Sequence, residues 1–422
     1  MAARNLLIVL AAAAAAAWAQ AATPSFRDFD KRAKSGERLN VVFFGASLTW
    51  GANATDPVYT SYRAQLGDWM EQNYPKAHFK FWDAAIGGTG SQLGVFRFDR
   101  DVLRRKPDLV FLDFTANDDI YSDNPETRAS YESILRRLIL DAKLPVVVMI
   151  FPFQWNVQVG TTDGMKGRDT HLAIAKAYGC PVGDAVVLAQ ERVKKGEVTI
   201  EELWPADGVH PGDLGYGLFA DAARAAFEQA VKAKMVCAAP EKMLYAPTYM
   251  KSTRVRISTL TPLPAGWSTA RPNLTAAWYD GLMSRWLDDE VVASRTAQVK
   301  NAEGKVETVQ QKPERLRAKF NGTMVLLFGE ETVRSCRYRA YIDGELVKRA
   351  TGQDGKTILT EFVASGKMFG GTRQHAQLIA QELEPKEHLL EIEPLFEQDD
   401  EQELRLESIC VAGGEATVRR AD

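Results

Sequence analysis

The stretch Leu39-Asn40-Val41-Val42-Phe43-Phe44-Gly45-Ala46-Ser47-Leu48-Thr49-Trp50-Gly51 decides how this chain is read. Four apolar residues in a row, Val41 to Phe44, read as a strand buried on both faces, the pattern of a parallel sheet. The run gives way to small residues, so a turn follows and leaves one hydroxyl, that of Ser47, at the strand's carboxyl end. Ligands of open α/β sheets bind at that end. Ser47 is therefore a candidate nucleophile, although a serine in this place also reads as a helix cap or turn residue.

Working outward, apolar strands alternate with helical patterns from Leu39 to about Lys234. Leu66, Trp69, Met70 and Tyr74 fall at helical spacing. A second strand, Phe79 to Ile86, runs into Gly87-Gly88-Thr89-Gly90, and a helix near Val95 to Arg105 stops before Pro107. The third strand, Leu109 to Phe114, ends in Thr115-Ala116-Asn117-Asp118. Asn124 then caps a helix with Pro125 at its first position. Val146 to Phe151 reads as a fourth strand, Pro181 to Val187 as a fifth, and Leu214 to about Lys234 as the closing helix. Such alternation means a parallel sheet covered on both faces, with right-handed crossovers placing the strands' carboxyl ends along one edge. Ser47, Gly88 and Asn117 all come to that edge.

Just before the last helix stands Trp204-Pro205-Ala206-Asp207-Gly208-Val209-His210-Pro211. An Asp three residues ahead of a His, with Gly between them, can fold back so that its carboxylate meets the imidazole. That contact fixes the tautomer and turns Nε2 outward as a base. Taken singly, the same residues read as a turn whose Asp caps a helix and whose His is solvated. Together, a serine, an Asp–His pair, a glycine turn and an amide side chain would bring a nucleophile, a base, its orienter and hydrogen-bond donors to one set of sheet-edge loops.

These four blocks resemble the SGNH hydrolases, also called the GDSL esterase/lipase superfamily. They are Gly45-Ala46-Ser47-Leu48-Thr49, Ala85-Ile86-Gly87-Gly88-Thr89-Gly90, Ala116-Asn117-Asp118 and Asp207-Gly208-Val209-His210, in the family's order, and the resemblance covers about residues 39 to 234. It implies a flavodoxin-like three-layer α/β/α sandwich and ester hydrolysis with no metal and no cofactor. It further implies Ser47 as nucleophile, His210 as base and Asp207 as its orienter. The N–H groups of Ser47 and Gly88, with the Asn117 amide, would form the oxyanion hole. Two departures stand out: Ala46 occupies the place of the Asp in the family name, and Asp83-Ala84-Ala85 precedes the glycines where an Asn and a Gly are common. Neither removes a catalytic group, but the second leaves open whether Gly87 or Gly88 presents its N–H, with Gly88 favoured.

With 422 residues the chain exceeds one ordinary hydrophobic core, so two domains are expected. A net charge of -3 gives no electrostatic case for nucleic acid. Arg4 followed by the apolar run Leu6 to Ala17 and the small residues Ala17-Trp18-Ala19-Gln20-Ala21 reads as a cleaved signal peptide over 1–21. The protein is then secreted or periplasmic, with no membrane attachment after cleavage. The hydrolase domain is expected over 22–235. Over 236–422, short alternating runs (Arg254 to Leu260, Thr323 to Phe328, Arg337 to Ile342, His388 to Ile392, Leu404 to Val411) and the turn Asp343-Gly344 predict a β-sandwich. It resembles the jelly-roll modules that accompany exported carbohydrate esterases. Trp267, Trp278, Tyr279 and Trp286 read either as a sugar-stacking platform or as core and interdomain packing.

Of the four cysteines, Cys180, Cys237, Cys336 and Cys410, the last two fall in one region and are the favoured disulfide. An exported esterase acting on an acylated carbohydrate is the expected function. A lipase or lysophospholipase and a catalytically inert carbohydrate-binding protein are the alternatives. The sequence leaves oligomeric state open.

Overall fold

The computed structural model describes residues 24–273, 276–277, 281–282, 287–351, 357–363, 373–397 and 401–421. The signal segment over 1–21, and Trp278, Tyr279 and Trp286 of the aromatic group, lie outside the described residues. In chain order the first half carries α1 (Phe26–Lys34), β1 (Arg38–Gly45), α2 (Ser47–Trp50), α3 (Tyr62–Asn73), β2 (His78–Ala85), α4 (Ser91–Asp101) and β3 (Leu109–Leu112). There follow α5 (Pro125–Leu140), β4 (Val146–Ile150), α6 (Gln154–Gln158), α7 (Lys166–Ala177), β5 (Val182–Asp184), α8 (Ala185–Lys194), α9 (Ile200–Leu203) and α10 (Asp213–Lys232).

The five strands form one parallel sheet in the order β2-β1-β3-β4-β5. β1 lies inside it, Phe44 facing Ala84 on one side and Leu112 on the other. That placement is why Val41 to Phe44 is apolar without alternation: both faces are covered by helices, and all four residues are buried. Asn124 caps α5 as expected, its side chain accepting the Glu126 N–H at 2.9 Å with Pro125 in the first turn. The fifth strand is shorter than expected. Asp184 accepts the N–H groups of Val186 and Val187, so the chain turns into α8 where a strand over Pro181 to Val187 was predicted.

Beyond Ser252 the structure is antiparallel. One sheet runs Arg373–Ala380, Met324–Glu331, Glu403–Ala412, Glu290–Ser294, Trp267–Ala270, with Ser252–Arg256 also paired to Glu403–Ala412. The second runs Glu345–Leu346, Arg337–Ile342, Glu387–Leu395, Leu316–Asn321, Thr417–Arg420. The two close on a shared core that includes Val325, Leu327, Tyr338, Leu390 and Ile409, so this region is a β-sandwich. Asp343 and Gly344 both have positive φ, 54° and 84°, as a two-residue hairpin turn requires.

The strand Met324–Glu331 joins the two halves. Met324, Leu326 and Phe328 pack into the core of the parallel-sheet half, while Val325 and Leu327 point into the sandwich. One strand thus walls two cores, and its run of apolar residues without polar alternation follows from that. Trp267 is buried in the sandwich core, its indole N–H donating to the Glu314 carbonyl at 2.8 Å, so it offers no sugar platform.

The expected disulfide is not formed. Cys336 lies beside Glu403, its N–H bonded to that carbonyl at 2.9 Å, whereas Cys410 stands seven positions further along the same strand. At about 3.3 Å per residue the two are roughly 23 Å apart, far beyond disulfide reach. The neighbouring thiols are instead Cys180 and Cys237, with sulfurs 3.5 Å apart.

Candidate active site

β1 delivers its terminal residue, Gly45, into a space with no room for a side chain. A Cβ there would lie 2.2 Å from Thr49 Oγ1 and 2.6 Å from the Asp113 carbonyl. The chain turns at Ala46 and enters the single-turn helix α2 with Ser47 as its first residue, and Gly51 closes that turn at φ 99°. Ser47 is thereby held at the carboxyl edge of the central strand, almost fully buried.

Its hydroxyl lies 3.0 Å from His210 Nε2. The opposite ring nitrogen, Nδ1, is 3.3 Å from Asp207 Oδ2. The Asp207–His210 loop folds back as the sequence predicts: Asp207 Oδ1 accepts the N–H groups of Val209 and His210 at 2.7 and 2.6 Å. A third element enters from the loop after α2. Asn53, at φ 67°, donates its amide to Asp207 Oδ2 at 2.7 Å. Partial burial pushes the Asp207 carboxyl up, but the His210 N–H, the Asn53 amide and the Val209 N–H outweigh it and hold it below the ordinary range. A carboxylate at that oxygen places the imidazole proton on Nδ1 and leaves Nε2 free to accept from Ser47. Hydroxyl, imidazole and carboxylate in one line can move a proton off the serine as it attacks.

Around this line stand the other sequence candidates. Gly88 sits in the turn after β2 with φ 69°, exposed, while Gly87 beside it is buried. Asn117 sits half-buried in the turn after β3. Asp118, the next residue, locks the two turns together: its Oδ1 accepts the Ser91 N–H at 2.8 Å and fills the space beside Gly90, where a Cβ would lie 2.5 Å from it. His171 lies below, its Nδ1 2.8 Å from the Thr115 hydroxyl and its ring against Tyr131. Burial, with the Arg128 charge, drives His171 down to about 3, so it is neutral here. Among the described residues no three His, Cys, Asp or Glu side chains converge as a metal site would require.

Two residues that carry the site were not singled out from the sequence for that role. The amide of Asn53 turns inward to Asp207. Arg97, fully buried on α4, donates to the carbonyls of Gly45 at 2.7 Å and Ala84 at 2.5 Å, tying the ends of β1 and β2 together. The loop from Phe151 to Trp155 follows β4. Phe151 stacks on Phe219 at 4.4 Å inside the core, so it does not border the site. Phe153 and Trp155 pack on each other at 4.8 Å, and the exposed Trp155 indole lies beside Gly208 of the Asp–His loop.

Asp113, behind the nucleophile turn, accepts from Thr49 Oγ1 at 3.3 Å. Burial pushes its carboxyl up to about 8, against the hydrogen bonds of Thr49 and Thr115. With the folded value above the unfolded one, its stabilising contribution is complete at acid pH and is lost as pH rises through about 8. Asp113→Asn removes that titration. In thermal melts the variant's Tm relative to the parent should be higher at pH 9 than at pH 5. An equal difference at both pH values would contradict this placement.

The comparisons with known proteins follow this geometry. Residues 43–218 match the model of the GDSL-like Lipase/Acylhydrolase family. No curated protein matches the sequence significantly. A two-domain esterase active on acetylated mannans, co-crystallised with mannopentaose, is 24% identical over 92% of this chain and 95% of that chain, with a TM-score of 0.70. A second structure of a two-domain esterase active on acetylated mannans is 22% identical over the same shares, with a TM-score of 0.68. The fold of both halves is therefore one already seen in a two-domain protein.

Proposed function

From the match of residues 43–218 to the GDSL-like lipase/acylhydrolase model, we propose that this chain is an exported serine esterase that removes small acyl groups, acetyl above all, from a carbohydrate. The observation that carries the proposal is the hydrogen-bonded line from Ser47 Oγ through the His210 ring to Asp207. In the proposed reaction His210 Nε2 takes the Ser47 proton as Oγ attacks the acyl carbonyl. The N–H groups of Ser47 and Gly88 and the Asn117 amide receive the developing oxyanion; such donors, fixed before the reaction, are worth about 2.7–4 kcal/mol each. Collapse expels the sugar oxygen, which takes the proton back from His210. Water then repeats the sequence on the acyl-enzyme.

Carbohydrate as the alcohol half is supported by the likeness to an esterase active on acetylated mannans and by Trp155. An exposed indole beside the Asp–His loop offers an apolar face on which a pyranose ring can lie. Export rests on Arg4 and the apolar run Leu6 to Ala17. For the acyl half, the likeness to an esterase active on acetylated mannans favours a short chain.

Acetate esters should therefore be hydrolysed with at least about tenfold higher kcat/KM than octanoate esters, since each misfit methylene is worth about 1–3 kcal/mol. Parallel assays with nitrophenyl esters and acetate release from an O-acetylated glycan measure this. Faster octanoate cleavage, with no acetate from any glycan, would replace the carbohydrate reading by a lipase one.

A further inference from the structure

The turn carrying Gly88 is held from outside its own half of the chain. Gln374, on the edge strand Arg373–Ala380 of the antiparallel sheet, donates its Nε2–H to the Gly87 carbonyl at 2.5 Å, across 287 positions of sequence. Gln374 is buried, and its Oε1 has no hydrogen-bond partner among the described residues. An amide half-satisfied in this way is an unfavourable choice for packing alone, because an apolar side chain would fill the place without an unpaired acceptor.

The Gly87 carbonyl and the Gly88 N–H belong to the same peptide unit. A trans peptide is planar, so the two groups point in opposite directions and whatever fixes one fixes the other. This unit is flanked by two glycines, with Gly88 at φ 69°, so its plane can rotate without the steric barrier a Cβ imposes. The surrounding peptides are tied down from within. The Ile86 N–H donates to the Gly45 carbonyl at 3.2 Å, the Ile86 carbonyl accepts the Thr89 hydroxyl at 2.7 Å, and the Ser91 N–H is held by Asp118. The strand bearing Gln374 is also pinned, since Arg373 and His375 on either side both bond Glu331, at 2.6 and 2.9 Å.

We infer that Gln374 is a positioning residue for the oxyanion site: by holding the Gly87 carbonyl it aims the Gly88 N–H, so the sandwich half completes the esterase. This rests on the reading of Gly88 as an oxyanion donor given above. A donor aimed wrongly gives no help in the transition state but leaves ground-state binding nearly untouched. The loss therefore falls on kcat.

The test compares Gln374→Ala and the near-isosteric Gln374→Glu, whose carboxylate cannot donate to a carbonyl, using nitrophenyl acetate. Both should lose roughly 10- to 100-fold in kcat, less than deleting a donor outright, with KM changed less than about threefold. Asp288→Asn, which loosens a different contact between the halves (Arg100 to Asp288, 3.2 Å), should keep its kcat. Full kcat in either Gln374 variant overturns the inference, as does an equal loss in Asp288→Asn, which would make the effect one of general docking. Ser47→Ala, run alongside, separates the two levels. If it is inactive while the Gln374 variants are normal, only this inference falls. If it stays active, the esterase reading falls with it.

Discussion

Ser47→Ala should lose at least about 10⁴-fold in kcat while keeping its fold, because nothing else at the sheet edge can take over nucleophilic attack. The Ser47 hydroxyl is hydrogen-bonded to His210 Nε2, at 3.0 Å, and the side chain fills little space. Removing one oxygen from a nearly buried position leaves the turn geometry to Gly45 and Gly51, where a Cβ would strike Thr49 and Ser61. Thermal melting should therefore move by a few degrees at most. A variant retaining more than about one hundredth of the parent's kcat would remove Ser47 from the role of nucleophile.

His210→Ala should be nearly as damaging, since a serine hydroxyl without a base is a poor nucleophile at neutral pH. Asp207→Asn keeps the base but loses the carboxylate that fixes its tautomer, so its loss should be smaller by roughly 10- to 100-fold. The geometry supports that ranking: Asp207 is partly exposed, and its loop is also held by the bond from the Gln154 N–H to the Gly208 carbonyl at 2.8 Å. Steady-state kinetics with a nitrophenyl ester measures both effects. An active His210→Ala would mean that another group serves as base.

What the sequence disclosed, and what it hid, follows from the range over which each residue acts. Val41 to Phe44 and the turn after it were legible because a strand buried on both faces imposes its pattern locally. Asp207 and His210 were legible for a similar reason, as their contact closes within three residues. α1 was not assigned. Its inward residues Phe26, Phe29 and Ala33 come soon after the apolar run Leu6 to Ala17, and only the Ser25 cap marks its start. Asn53, Arg97 and Gln374 could not be placed from spacing at all. Their partners lie 154, 52 and 287 positions away, and each is an ordinary polar residue until the fold brings it to a carboxylate or a carbonyl.

The most direct test of the central claim is covalent labelling. Phenylmethylsulfonyl fluoride reacts with a serine whose proton is being taken by a neighbouring base, and intact mass followed by peptide mapping locates the adduct. The account predicts a single sulfonyl adduct on Ser47, formed in step with loss of deacetylation, and absent from both Ser47→Ala and His210→Ala. Stoichiometric inactivation with the adduct on any other residue, or full activity of a protein quantitatively labelled at Ser47, would contradict it.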